Sequence, residues 1–221
     1  MTSVVAAAVV VGVLAWHNGR HLAPAPHNDV VASLVTVVGA GVAAWWLLGR
    51  VDLLAGIGAA VAWTLGAGLL AGVVTVAATR SRRIGRIVAD RRMAAMEPGE
   101  FALHVSLRIP VLTALAEEVV HRGLVWWAVD RAAGPMAALW ASTAVFALGH
   151  VQVAREQAHR ERRDVVTWVM ITVVATGVAG LGLGLLRLWT GGIWAGVGVH
   201  AAVNMVLAFG GRFARQSEPA A

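Results

Sequence analysis

The sequence predicts an all-α fold: a polytopic transmembrane helix bundle of about seven spans, with one basic amphipathic helix at the membrane surface. Three observations predict it. Hydrophobic residues make up 58% of the 221 residues and charged residues only 14%, where a soluble domain carries roughly 45–50% and about 25%. Mean hydropathy is +0.72. The apolar residues fall in runs of helix length without strict alternation. A hydrocarbon core of roughly 30 Å takes about 20 residues of helix, whose backbone hydrogen bonds are all internal. This composition excludes an ordinary soluble domain and a disordered chain. The absence of cysteine removes disulfide frameworks, thiolate metal sites and a cysteine nucleophile. It leaves the redox compartment open.

The predicted spans run over 2–16, 30–48, 53–79, 104–129, 135–153, 165–186 and 193–209. The first is short, and Met1, Thr2 and Ser3 give it no basic flank. We therefore expect a retained span or partly inserted anchor rather than a signal peptide. The third carries no charge. Pro110 is expected to start or kink the fourth. Between the third and fourth, residues 80–96 alternate arginines with Ile84, Ile87, Val88 and Met93. That pattern predicts a basic amphipathic helix on the inner leaflet, against the simpler reading of a solvated basic loop.

The net charge of +6 is all arginine, 18 residues with no lysine. A bias of that kind fits codon usage, so Arg-for-Lys receives no mechanistic weight. The sequence pI is about 11.6. In so apolar a chain the expected partner of this charge is an anionic lipid surface and no nucleic acid. Arg20, Arg80, Arg82, Arg83, Arg86, Arg91, Arg92, Arg155, Arg160, Arg162, Arg163, Arg212 and Arg215 fall on one face, and Arg50, Arg131 and Arg187 on the other. The richer face is the cytoplasmic one by the positive-inside rule, which places the N-terminus outside and the C-terminus inside. Trp45, Trp46, Trp126, Trp127, Trp189 and Trp194 are expected as an aromatic belt near the outer ends.

Ionisable residues inside a bilayer cost at least roughly 2.5–3.5 kcal/mol each at a helix centre. The fourth span holds Glu117, Glu118, His121 and Arg122, the fifth ends in His150, and the seventh carries His200 and Asn204. Glu118 and Arg122 are i,i+4 with the acid first, the favourable order for a pair. Adjacent helical residues point about 100° apart, so Glu117 faces elsewhere, with His121 at i,i+4 from it. A carboxylate in a low-dielectric cavity suits general-base work near neutral pH. His150 or His200 would orient a water or protonate a leaving amine, and Asn204 would donate to an oxyanion. Each has a plainer reading. The four residues of the fourth span would form an ion-pair network that only fixes packing. His150 would be interfacial, and His200 with Asn204 would be interhelical glue. Gly192, Gly196 and His200 share one face, which would bring a neighbouring helix close to the histidine. Two histidines and a carboxylate also match a catalytic zinc set, although HExxH is absent. The spacing leaves metal-free and metal-assisted amide hydrolysis both open. His17, His21 and His27 are expected in the first loop, His159 in a charged loop, and His104 at a membrane boundary.

These residues together resemble a known family. Glu117-Glu118-x-x-x-Arg122, Phe146-x-x-x-His150 and His200-x-x-x-Asn204, in that order on three membrane helices, resemble the CPBP family, the CAAX-processing and bacteriocin-processing intramembrane proteases also called Abi-domain proteins. Arg122-Gly123-Leu124 and the stretch from Gly182 through Thr190 and Trp194 extend the resemblance, which covers about 108–209. It implies a catalytic helical core over 104–211, preceded by transmembrane spans and the basic segment over 1–103 and followed by a short cytoplasmic tail over 212–221. It implies a glutamate-type endopeptidase acting on a membrane-associated peptide or protein, with Glu117 as the base and His150, His200 and Asn204 completing the centre. Glu118 and Arg122 would be the supporting pair and Phe146 a packing residue of the motif. No cofactor is implied by the glutamate mechanism; earlier proposals for the family invoked a divalent metal. One departure is His121, where the family commonly has Phe before the arginine; a histidine there would alter the acidity of Glu117 or the substrate pocket. Fold membership does not fix function. The competing readings are a non-proteolytic immunity or scaffold protein of the same family, and a transporter, proton relay or bis-histidine haem protein.

Overall fold

The computed structural model describes residues 2–19, 57–80 and 91–216, with isolated positions between 35 and 42. Most of the second predicted span, Trp45 and Trp46, His21 and His27, and most of the basic segment lie outside the described residues. Among the described residues every regular element is helical, and the protein is an all-α membrane bundle. Four stretches are long and apolar enough to cross a membrane: Gly58–Ala78, Pro135–Glu161, Val165–Thr190 and Trp194–Phe213, with Ser3–Asn18 a shorter apolar helix.

We label the elements α1 (Thr2–Gly19), α2 (Ile57–Arg80), α3 (Arg91–Ala95), α4 (98–115), α5 (116–133), α6 (Pro135–Gly149), α7 (Val151–Glu161), α8 (Val165–Thr190) and α9 (Trp194–Gln216). The chain divides into two compact units. The first contains α1 and α5 to α8, and the second contains α2, α3, α4 and α9.

In the first unit, the helix ends follow local chemistry. Gly134, at φ 84°, closes α5, and Pro135 opens α6 at a position whose N–H has no helical partner in any case. Asp164 caps α8 by accepting from the Thr167 amide at 2.8 Å, and Gly191, at φ 71°, ends it. The expected fifth span is not one helix. It breaks at His150 and continues as α7, where Arg162 takes a left-handed φ of 52°. The α6–α8 contact uses missing side chains: a Cβ on Gly180 would stand 3.1 Å from Phe146 Cδ1, and one on Gly184 would stand 2.5 Å from Leu139 Cδ1. Small residues at such points let membrane helices pack closely. Trp126 is not part of an outer belt. It is 5% exposed and packs with Ala138 and Leu139 in the core, because the inward face of α5 needs a large apolar side chain over α6. Trp189, by contrast, is 68% exposed.

In the second unit, α2 packs along α9. A Cβ on Gly198 would overlap Thr64, and one on Gly68 would reach Ala202 Cβ at 3.4 Å. This close approach on α9 is at Gly198, and the expected Gly192–Gly196–His200 line is buried as well. Met93, Met96, Phe101, Val105, Ile109 and Ala208 form the core. Met93 lies on the described end of the basic segment, yet it is buried against protein. Arg212 holds that end by donating to the carbonyls of Met93 and Met96 at 2.9 and 2.8 Å. α4 is a π-helix over His104–Leu115 with Pro110 inside it. Proline removes a ladder donor, and the wide turn is one way for the chain to carry it.

Candidate active site

The site in the first unit is built on one turn. Ala116–Glu118 is a single α-turn, and Val119–Val125 after it is π-helical. Wide turns of this kind are rare and concentrate at functional sites. The turn buries both carboxylates, with Glu117 at 2% exposure and Glu118 at 0%, and it sends them to different partners.

Glu118 faces Arg122. Arg122 Nη1 lies 3.0 Å from Glu118 Oε1, and both side chains are fully buried. Arg122 Nη2 donates to the Gly180 carbonyl at 2.8 Å, and the guanidinium sits 4.5 Å from the Phe146 ring centroid. A Cβ on Gly180 would stand 3.5 Å from that same Nη2. Arg187 Nε in turn donates to the Arg122 carbonyl at 3.4 Å. Phe146 is thus the apolar floor beneath the arginine. This side of the turn is a structural knot, a buried ion pair with one further hydrogen bond from the guanidinium, since two desolvated charges hold only where geometry and extra hydrogen bonds offset the lost hydration.

Glu117 faces imidazoles. His150, at the α6–α7 break, places Nε2 4.0 Å from Glu117 Oε2. Its Nδ1 is 2.7 Å from the Phe146 carbonyl. A carbonyl only accepts, so Nδ1 carries a proton, and in the neutral imidazole Nε2 then offers its lone pair toward the carboxylate. His121 does the same with its Nδ1, donating to the Glu117 carbonyl at 2.7 Å. It therefore fixes the Glu117 backbone, while its ring meets Phe146 edge-on at 5.2 Å.

The structure also brings in His17, which the sequence pattern had assigned to a loop. α1 does not stop at Trp16 but runs to Gly19. His17 is fully buried, with Nε2 3.9 Å from Glu117 Oε1. Its ring centroid is 5.4 Å from that of His121 and 5.2 Å from that of His150. His17, Glu117 and His150 offer ligand atoms within 4.8 Å of one another. The one signal in the sequence was a histidine just past an apolar run. His200 and Asn204 are on α9, in the second unit; His200 is buried and Asn204 half-buried there. His104 is half-buried on α4, and His159 is exposed on α7.

The pattern of paired glutamates, arginine and histidine on these helices has a counterpart among known families. Residues 99–206 match the family model described as type II CAAX prenyl endopeptidase Rce1-like. The match supports the CAAX-protease (CPBP) family for this part of the chain. The matched segment carries Glu117, Glu118, Arg122, Phe146, His150, His200 and Asn204, and it leaves out α1 and α2. Comparison with curated proteins and with solved structures found no match.

Proposed function

We propose that this protein is a CAAX-protease family member, a glutamate-type intramembrane endopeptidase that hydrolyses a peptide bond of a membrane-associated peptide or protein. The observation that carries the proposal is the buried Glu117 carboxylate facing Nε2 of His150 at 4.0 Å, with Nδ1 of that ring held by the Phe146 carbonyl and the neutral Nε2 taken as an acceptor. Two acceptors at that separation suit one bridging water, which gives a hydrogen to each. Glu117 takes the proton as the water oxygen bonds to the scissile carbonyl carbon. The proton then passes to the leaving nitrogen as the C–N bond breaks. On motif grounds His200 and Asn204 are assigned to the oxyanion that forms between these steps. Arginine placement along the sequence supports a cytoplasmic face bearing the loops after the first, third and fifth spans. The N-terminus is then outside and the C-terminus inside.

A second reading has its own observation. Two imidazoles and a carboxylate converging within 4.8 Å are a donor set for a divalent metal of the zinc class. His17, Glu117 and His150 would hold such an ion, which would supply Lewis acidity.

The test is cleavage of lipid-anchored, internally quenched peptides by the detergent-solubilised full chain, with and without chelator. Cleavage that survives chelator and is lost in Glu117→Gln supports the glutamate mechanism. Loss with chelator and recovery with zinc supports the metal reading. A folded protein that cleaves no member of a broad library supports a non-proteolytic role.

A further inference from the structure

Within the matched segment His150 faces the Glu117 carboxylate, and a second imidazole comes from α1, outside the segment the family model covers. Three independent features hold His17 there. Val13 is buried with Val120, Val125 and Val145, so the preceding turn of α1 is part of the core. Asn18 ties the end of α1 to the α6–α7 break: its Oδ1 accepts from the Gln152 amide at 3.4 Å, and its Nδ2 donates to the Leu148 carbonyl at 3.5 Å. Gly149 supplies the room, since a Cβ there would stand 2.8 Å from His17 Nδ1 and 2.9 Å from its Cγ. The residue just before His150 is therefore a notch that the His17 ring fills.

Magnitudes decide what these three side chains surround. Zinc bonds to nitrogen and oxygen of about 2.0–2.2 Å put two tetrahedral ligands ~3.4 Å apart, and no more than ~4.2 Å at the linear limit. Hydrogen bonds of about 2.8 Å to one water put its partners ~4.0 Å apart at a right angle and ~4.6 Å apart at the tetrahedral angle. Nε2 of His17 is 3.9 Å from Glu117 Oε1 and Nε2 of His150 is 4.0 Å from Glu117 Oε2, and one ligand atom of each residue lies within 4.8 Å of the other two. These separations fit a water as they stand and would have to contract around a metal. Proton counting then assigns the third partner. The water's two hydrogens go to Glu117 and to the His150 Nε2 lone pair, so the remaining neighbour must donate.

We propose that His17 is a further catalytic residue of this centre, donating its Nε2–H to the hydrolytic water. The inference rests on the peptidase reading above. The donated hydrogen bond occupies one lone pair of the water oxygen and leaves the other for the scissile carbonyl carbon. As the C–O bond forms, one water proton moves to Glu117, the other stays on the new hydroxyl, and the carbonyl electron pair moves to oxygen. His17 keeps its own proton throughout. Its contribution is position, and a reacting atom misplaced by about 1 Å can lose on the order of 10²-fold in rate.

The test uses the full chain in detergent and the peptide cleaved fastest by the wild type, with rates taken per monodisperse folded molecule. His17→Gln keeps a terminal N–H donor, and His17→Met has a similar shape without one. The expected result is a kcat at least tenfold higher for Gln than for Met, with Met down about 10²-fold and KM nearly unchanged in both. Equal kcat values for Gln and Met overturn the proposal while leaving the peptidase reading intact, provided Glu117→Gln is inactive. Full activity of Glu117→Gln, or no cleavage by wild type, overturns both. Cobalt(II) titration gives a readout besides activity. A visible tetrahedral absorption band that disappears in His17→Met makes His17 a metal ligand and also overturns the proposal.

Discussion

Two carboxylates leave the same helical turn and meet opposite surroundings. On one side Glu118 finds a guanidinium at 3.0 Å, itself tied to the Gly180 carbonyl and laid over Phe146. On the other, Glu117 faces two imidazoles at 3.9 and 4.0 Å, beyond direct hydrogen-bond reach. Both are buried. The difference lies in what each side can still bind. The Glu118 side has its charge matched in place, and the proposed mechanism gives it no proton to move. In the proposed mechanism the Glu117 side takes a water between its carboxylate and the imidazoles and exchanges a proton with it. Adjacent acids on a helix thus serve separate ends because a step of about 100° sends them to different neighbours.

The largest expected effect tests the reactive side. Glu117→Gln keeps the volume and removes the base. We expect kcat to fall by about 10²–10⁴-fold, with the unfolding midpoint in detergent little changed. A variant that cleaves at the wild-type rate would end the assignment. The second prediction turns the comparison round. Glu118→Ala leaves Arg122 buried without its carboxylate, and breaking such a pair costs about 3–5 kcal/mol. Unfolding in a detergent–denaturant titration should shift accordingly, and any loss of activity should follow the loss of folded protein. Wild-type stability for Glu118→Ala would show that the knot around Arg122 does not hold the fold.

Much of this contrast was legible in the sequence. The i,i+4 spacing of Glu118 and Arg122 announces their pair, and the apolar runs announce α2, α8 and α9. Three features were not legible, each for a tertiary reason. α1 runs past its last apolar residue because Asn18 bonds to a distant part of the chain and His17 packs against it, which no local pattern records. Trp126 reads as an interfacial residue by its place along the span, yet it is buried because α6 crosses over it. The wide turns of 104–115 and 119–125 follow no hydrophobic period. Only Pro110 hinted that the regular ladder would give way there.

Gly149 offers a finer cut at the reactive side alone. Its missing side chain admits the His17 ring, so Gly149→Ala forces the ring or the α1 end to shift. Overpacking of this kind costs about 1–3 kcal/mol. The Glu118–Arg122 pair is unaffected by it, so activity should fall further than the modest drop in stability explains. Paired measurement of kcat and of the unfolding midpoint checks this. Equal activity at equal stability would mean that the notch is not needed to position His17.

The smallest effect comes from a third carboxylate, which sharpens what burial adds. Asp164 is exposed at the start of α8, where hydrogen bonds from Thr167 hold its pKa below the ordinary value of 3.8. A depressed folded value means that the cap contributes fully above the ordinary value. The contribution fades as pH falls through the lower folded one. Asp164→Asn keeps a capping oxygen and should flatten this dependence, whereas Asp164→Ala should lose the contribution at neutral pH. Thermal midpoints of the three proteins between pH 7 and roughly pH 3 would show it. Water surrounds Asp164 and competes for its hydrogen bonds, so its removal should cost far less than removal of Glu118. If the two losses proved equal, burial would not be the source of the strength of the Arg122 knot.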